Sequence, residues 1–132
     1  IRDLVRSRGL GDVYKRQVID HWWQTETSWA ISSNCTGIEM METKYGSACK
    51  AVPGYDVKII KPDQSLAKPN EMGDIVVKLP LPPGTFPTLW NADERYKKTY
   101  MTNYNGYYQT YDAGHKIPLS CRAIIEPFIE SN

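Results

Sequence analysis

The densest potential chemistry in this sequence lies in residues 20–27, which read Asp-His-Trp-Trp-Gln-Thr-Glu-Thr. Polar groups at the point where a strand opens into a loop are a common place for a ligand site in α/β proteins. The adjacent indoles of Trp22 and Trp23 offer a flat surface on which a purine can stack and a bulky wall for a small pocket. The hydroxyl of Thr25 can hydrogen-bond a phosphate oxygen, and the carboxylate of Glu26 suits Mg²⁺ held on that phosphate. The octad therefore predicts a nucleotide site, although each residue taken singly also fits a structural role, with the Trp pair in the core and the Thr and Glu facing solvent.

The segments around this octad predict strands and turns. Val18–Asp20 predicts the end of a short buried strand, and residues 21–46 read as a polar and aromatic stretch that passes into a loop. Alternating apolar residues over 51–60 predict one strand, and residues 73–79 predict a second. The Pro and Asp within residues 61–65 predict a turn between them. Two strands at this short spacing favour an antiparallel sheet or barrel.

The remaining segments add a loop and one helix. Residues 80–87 are rich in Pro and predict a loop. Residues 91–104 predict a helix, because Asn91 can cap it and Glu94 follows three residues later, in a capping-box arrangement. Nine Pro, nine Gly and nine Tyr favour strands and turns over a helical bundle. The predicted fold class is therefore α+β and mainly β.

Composition narrows the class of protein. The 132 residues, 41% hydrophobic and 23% charged, are typical of one soluble globular domain or part of a larger one. No apolar run approaches the roughly 18 to 20 residues that span a bilayer, so we expect no membrane partner. Residues 1–17 carry a net charge of +3 and residues 18–132 a net charge of −2, so beyond the first segment no basic face is available for nucleic acid. Cys35, Cys49 and Cys121 match neither a disulfide scaffold nor a zinc site, which favours reduced thiols and a cytoplasmic protein.

The first 17 residues differ from the rest of the chain. Asp12 to Gln17 can be back-translated as GAT GTG TAT AAG AGA CAG, which resembles the transposon mosaic end used in sequencing libraries. A basic amphipathic start or a targeting peptide is the alternative, but Asp3, Asp12 and the lack of an apolar stripe argue against it. We therefore expect residues 1–17 to be adapter-derived and disordered, and native sequence to begin near Val18.

Four stretches, taken in order, resemble one enzyme family. Residues 22–27 resemble the Trp-Trp-Gln-Thr-Glu-Thr-Gly motif of the short-chain acyl-CoA synthetases, such as acetyl- and propionyl-CoA synthetase, in the adenylate-forming superfamily. Residues 51–57 resemble the Val-Pro-Gly turn of that family, and residues 78–90 resemble its Pro-rich segment. Residues 106–114 are similar to the Tyr-Tyr-x-Thr-Gly-Asp segment. The resemblance covers residues 18–114 and implies a fragment of the large N-terminal, AMP-binding domain, with α/β layers and a distorted β-barrel.

The resemblance also implies roles for single residues. The residues implied to bind the nucleotide are Asp20, His21, Trp22, Trp23, Gln24, Thr25 and Asp112. Asp112 is implied to accept hydrogen bonds from the ribose hydroxyls, a role suited to a carboxylate. Thr25 and Glu26 are implied to be catalytic, with Glu26 helping to hold Mg²⁺ with ATP. Trp23 is implied to close the carboxylate pocket and to keep the acyl group short.

Three features depart from the family pattern. Ser28 replaces the Gly that usually follows the motif, and a Cβ at this position restricts φ. Tyr111 stands where Gly is usual before the ribose Asp. After Gly114 the match stops, so residues 115–132 are expected to be an aberrant tail arising from a frameshift, a chimeric join or divergence.

The sequence is therefore interpreted as a fragment of an ATP-dependent acyl-CoA synthetase. The resemblance implies that the parent enzyme activates propionate or acetate through an acyl-adenylate to the acyl-CoA, using ATP, Mg²⁺ and CoA. Because the Gly-rich phosphate loop, the hinge and the C-terminal domain of the family are not found in it, we expect the fragment alone to be inactive. The alternative is a stand-alone β-rich nucleotide-binding or interaction module without catalysis.

Overall fold

The computed structural model of the chain describes residues 19–39, 47–48 and 50–116. Its elements within those ranges are β1 (His21–Trp23), β2 (Ala30–Ser33), β3 (Lys50–Ala51), β4 (Val57–Ile60), β5 (Gly73–Lys78), α1 (Asp93–Tyr100) and β6 (Tyr107–Gly114). This content confirms the predicted class, α+β and mainly β. The expected adapter-derived segment, residues 1–17, and residues 117–132 of the expected tail lie outside the described residues.

The strands form two antiparallel sheets of three strands each, in the orders β1-β2-β3 and β4-β5-β6. The sheets meet at a buried cluster formed by Ile31 of β2, Val77 of β5 and Tyr108 of β6. Each of these side chains is fully buried. Because the cluster draws one residue from the first sheet and two from the second, it packs the two sheets against each other.

The β4–β5 hairpin forms where alternation and turn residues predicted it. Val57 pairs with Val77 and Ile59 with Ile75, and the turn between the strands is closed by a hydrogen bond of 2.9 Å from the Ser65 amide to Asp63 Oδ1. Gly73 begins β5 close to the Ile60 carbonyl. A Cβ at Gly73 would lie 2.6 Å from that oxygen, so only glycine fits this approach.

Two sequence-based boundaries are wrong, and one strand pair was not predicted. Ile19 and Asp20 do not end a buried strand, because strand pairing begins at His21 and Ile19 is 40% exposed; Val18 lies outside the described residues. The polar and aromatic stretch that begins at residue 21 contains the antiparallel pair of β1 and β2, for which no strand was predicted. The single strand predicted over 51–60 is two strands in different sheets, separated by a turn in which Gly54 has a φ of +99°.

The helix is shorter than predicted and is capped differently. It begins at Asp93 after Ala92, no side chain caps it, and Asn91 has a φ of +49°. The predicted Asn91–Glu94 capping box is therefore wrong. Aromatic packing holds the helix instead: the Tyr96 hydroxyl donates to the Phe86 carbonyl at 2.8 Å, and the two rings meet edge to face with centroids 4.8 Å apart.

Candidate functional site

The alternation of β1 sends the two adjacent indoles to opposite sides. Trp22 is half-buried and packs against the Ile31–Val77–Tyr108 cluster and against the neighbouring pair Ile59 and Ile75. Trp23 is 52% exposed on the other side. The structural alternative, in which the pair belongs to the core, thus describes the position of Trp22 but not that of Trp23.

Trp23 lines an open cavity of about 340 Å³. The lining residues are His21, Trp23, Ser28, Trp29, Ala30 and Ser33. Trp29 is 70% exposed, so the two indoles give this cavity mostly apolar walls. Its size and its apolar walls suit a small ligand with a short apolar part.

Thr27 shapes the loop that follows β1. Its buried hydroxyl accepts a hydrogen bond of 3.2 Å from the Gln24 amide and lies 3.1 Å from the Trp29 carbonyl, to which it can donate. The amides of Thr27 and Ser28 both donate to the Gln24 carbonyl at 3.1 Å. The resemblance gave Thr27 no role, although it lies inside the motif. Its position shows that it holds the loop in which Thr25 is exposed and Glu26 half-buried.

Gln24 joins this loop to β6. Its side-chain amide donates to Asp112 Oδ2 at 2.7 Å and to the Thr110 carbonyl at 2.6 Å. The Tyr108 hydroxyl lies 3.4 Å from Gln24 Oε1, within donating distance. Two of the predicted nucleotide-binding residues, separated by 88 positions in the chain, are therefore in direct contact.

A bulge in β6 places Asp112 beside Gln24. Asp74 pairs with Ala113 and Val76 with Gln109, so the register shifts across residues 110–112. The Thr110 hydroxyl donates to the Ile75 carbonyl at 2.6 Å and accepts from the Asp112 amide at 3.2 Å. Bulges of this kind re-aim a side chain out of the regular pleat. Thr110 and Tyr108 are thus supporting residues that the sequence analysis did not single out.

Two carboxylates act on the buried phenol of Tyr108. Burial raises the pKa of Tyr108 above its ordinary value, and the negative charges of Glu26 and Asp112 raise it further. Burial followed by the charge of Glu26 likewise raises the pKa of Tyr100. Glu26 and Asp112 therefore exert their charge on the same aromatic group.

The other predicted residues lie apart from this contact. Asp20 precedes β1, where its backbone carbonyl accepts a hydrogen bond of 3.5 Å from Ser33. His21 lies on the cavity side of β1. Within residues 19–39, 47–48 and 50–116, no three His, Cys, Asp or Glu side chains form a cluster able to hold a metal ion by themselves. In the same residues, no helix is long and apolar enough to cross a membrane.

Replacing Ser28 with glycine is expected to raise the free energy of unfolding by about 0.5 kcal/mol, because a residue with a Cβ in the left-handed region pays a steric cost that glycine does not. Ser28 has a φ of +58°, and its hydroxyl makes only an exposed contact of 3.4 Å with the Thr25 carbonyl. Urea unfolding of the 132-residue chain measures the change. Ser28→Ala is the control, since it keeps the Cβ and removes the hydroxyl; a glycine variant no more stable than the alanine variant would contradict this reading.

The chain matches part of several proteins that are named as acyl-CoA synthetases or CoA ligases. The chain is 46% identical over 105 residues to human "Acyl-CoA synthetase short-chain family member 3, mitochondrial", and 38% identical over 101 residues to Escherichia coli "Propionate--CoA ligase". These alignments cover 79% and 74% of this chain but only 15% and 16% of the relatives. The chain therefore spans about 15% of the length of the curated relatives that it matches. No protein-family model matches it.

A solved structure shares the fold. The O-succinylbenzoate coenzyme A synthetase of Bacillus subtilis, solved in complex with AMP, superimposes with a TM-score of 0.61. The superposition covers 91% of this chain and 23% of that protein, at 21% sequence identity. The two-sheet arrangement described above is thus part of a larger known architecture.

Proposed function

From the homology of about 100 of its residues to part of the short-chain acyl-CoA synthetases, we propose that this chain is a segment of the AMP-binding domain of such an enzyme. The parent enzyme activates propionate or acetate with ATP to give an acyl-adenylate and pyrophosphate. The thiol of CoA then displaces AMP from the acyl group. The named relatives support the ligase class, and the fold neighbour supports the domain.

The contact between Gln24 and Asp112 carries this proposal. The motif of residues 22–27 and the segment 106–114 were assigned to one nucleotide site from separate resemblances. Their side chains meet through a hydrogen bond of 2.7 Å. A stand-alone interaction module gives no reason for these two segments to meet through half-buried polar side chains, whereas a shared ligand site does.

Each residue of the site has a proposed task. Asp112, positioned by Gln24, accepts hydrogen bonds from the ribose hydroxyls of ATP. The exposed hydroxyl of Thr25 donates to the α-phosphate, where negative charge develops as the carboxylate attacks. Gln24 and the backbone before it line the adenine. The Trp22 side chain, which packs in the core, contributes to the nucleotide site by fixing the path of β1.

Glu26 is proposed to act with Mg²⁺ on the phosphates of ATP. The half-buried carboxylate of Glu26 would bind Mg²⁺ only when ATP is also bound. In phosphoryl sites Mg²⁺ usually takes one or two carboxylates together with phosphate oxygens and waters. When bound, Mg²⁺ neutralises charge on the phosphates of ATP. Glu26 would supply one carboxylate oxygen to the ion, and it is, with Asp112, one of two acidic groups whose charge acts on Tyr108.

The cavity beside β1 is proposed to take the acyl group of the carboxylate. Its Trp23 indole closes the space along the acyl chain and so favours short acids. The compartment is proposed to be the cytoplasm because the number and spacing of the cysteines favour reduced thiols, while the human relative is named as mitochondrial.

The experiment that tests this function measures acyl selectivity in a full-length enzyme that carries this segment. Trp23→Gly is expected to shift kcat/KM from acetate and propionate toward butyrate and valerate. Each methylene accommodated is worth about 0.8 kcal/mol of transfer free energy, which corresponds to a several-fold change per carbon. The ratio of kcat/KM values is the appropriate measure, because it reports differential binding in the transition state.

Trp90→Gly is the matched control, since that indole is 91% exposed and lies outside the cavity. It should leave the order of the four acids unchanged. If Trp23→Gly lowers kcat/KM equally for all four acids, the indole has only a structural role. If the unsubstituted enzyme releases no pyrophosphate with any of the acids, the proposed function itself is wrong.

A further inference from the structure

Tyr111 adopts a conformation that its residue type disfavours. It has a φ of +63°, in the left-handed region that favours glycine, and it sits at the centre of the β6 bulge. A side chain held there needs compensating contacts elsewhere. The contacts that Tyr111 makes therefore indicate why a tyrosine can stand at this position.

Those contacts lead from β6 to the helix. The Tyr111 hydroxyl donates to the Thr99 carbonyl in the last turn of α1 at 2.6 Å. Its ring meets Tyr100 edge to face, with centroids 6.0 Å apart. Tyr100 in turn stacks on Tyr108, with centroids 5.5 Å apart and an interplanar angle of 13°. The bulge is thus attached to α1 through one hydrogen bond and a continuous set of aromatic contacts.

The same bulge carries Asp112, the next residue in the chain. The conformation of Tyr111 sets the direction in which the Asp112 carboxylate leaves the strand. That carboxylate accepts the hydrogen bond from Gln24 described above. Attachment of Tyr111 to α1 thereby restricts the position of the carboxylate in the candidate site.

We propose that Tyr111 is a positioning residue that clamps the β6 bulge to α1 and so holds the Asp112 carboxylate against Gln24. The consequence for ribose binding rests on the proposed function, whereas the clamp itself does not. Tyr111 touches no substrate in this proposal and acts through Asp112. Its hydroxyl supplies the bond to α1, and its ring supplies the contact with Tyr100.

The test uses the isotopically labelled 132-residue chain and the variant Tyr111→Phe, which removes only the hydroxyl. Amide hydrogen exchange at Asp112 should accelerate on the order of five-fold, which is the effect of losing one hydrogen bond of ordinary net strength. The side-chain amide resonances of Gln24 should move toward the values of a solvated amide. In an AMP titration of a full-length enzyme that carries this segment, the Kd should rise by a similar factor.

Tyr107→Phe is the matched control, since it removes a hydroxyl from the first residue of the same strand. It should leave the Gln24 resonances and the Asp112 exchange rate unchanged. Tyr111→Gly separates positioning from general stability, because glycine accepts the left-handed conformation without the clamp. Its unfolding free energy should stay near that of the unsubstituted chain while the Gln24 resonances still move.

The proposal is overturned if Tyr111→Phe, or Tyr111→Gly where the Phe variant does not fold, leaves the Gln24 resonances and the Asp112 exchange rate unchanged. If the chain shows the expected exchange effects but the full-length enzyme binds no AMP, the clamp is supported and the nucleotide function is wrong. The two claims therefore fail through different measurements.

Discussion

Replacing Trp22 with alanine is expected to lower the free energy of unfolding of the 132-residue chain by about 3 kcal/mol, near the lower end of the range for buried Trp truncations. Trp22 packs against both buried clusters, so its removal opens a void between β1 and the second sheet. The lost apolar contacts and the residual cavity both act against the folded state. Urea unfolding, followed by far-ultraviolet circular dichroism, measures the change.

Trp23→Ala is the control for this prediction, because it removes the same side chain one residue later in the same strand. Trp23 is 52% exposed and faces the open cavity, so the expected loss is less than about 1 kcal/mol. Equal losses in the two variants would mean that the alternation of β1 does not separate a core side from a cavity side.

Replacing Gln24 with glutamate is expected to disrupt the candidate site at neutral pH. The change removes the amide that donates to Asp112 Oδ2 and to the Thr110 carbonyl, and it places a second carboxylate about where that amide lay. Leaving these partly buried acceptors without their donor costs about 1 kcal/mol, and repulsion between the carboxylates adds to it. AMP affinity is expected to fall by about 100-fold, which corresponds to roughly 2.7 kcal/mol.

The pH dependence identifies the cause of this loss. Repulsion from Asp112 raises the pKa of the introduced carboxyl in the folded chain above its unfolded value of about 4.3. The folded variant therefore binds its proton more tightly, and the stability deficit grows as pH rises from the unfolded pKa through the folded one. Urea unfolding at several pH values measures it. Gln64→Glu, the same change in an exposed turn, should show no such profile, and a pH-independent deficit in the Gln24 variant would exclude carboxylate repulsion.

Local signals explain which elements were predictable from the sequence. The β4–β5 hairpin was predicted because its alternation and its turn residues lie within one short segment. The β1–β2 pair was missed because its strands have only three and four residues and a bulge lies next to Trp23. In β6, Gln109 and Thr110 are buried, so the strand does not show the expected alternation of apolar and polar residues.

The start of α1 and the contact between Gln24 and Asp112 depend on contacts between residues separated in the sequence, so local patterns could not predict them. The start of α1 depends on Phe86 and Tyr96 meeting across a loop, which overrides the capping signal at Asn91. The family resemblance placed Gln24 and Asp112 in one site, but only the folded chain supplies the bulge that brings them together. The departures from glycine at Ser28 and Tyr111 were visible in the sequence, and both residues do adopt positive φ.

The hydrogen bond between Gln24 and Asp112 also has a consequence for the order in which the chain folds. It joins residues 88 positions apart, whereas only residues 61–72 separate the two strands of the β4–β5 hairpin. Closing a long loop lowers the conformational entropy of the chain before the contacts at its ends can form. Contacts between residues far apart in sequence therefore form slowly. The hairpin can therefore assemble early and serve as a template, while the candidate site is completed late, once β6 and β1 have both docked. A ligand that contacts both the loop after β1 and the β6 bulge would therefore act mainly by slowing the separation of Gln24 from Asp112.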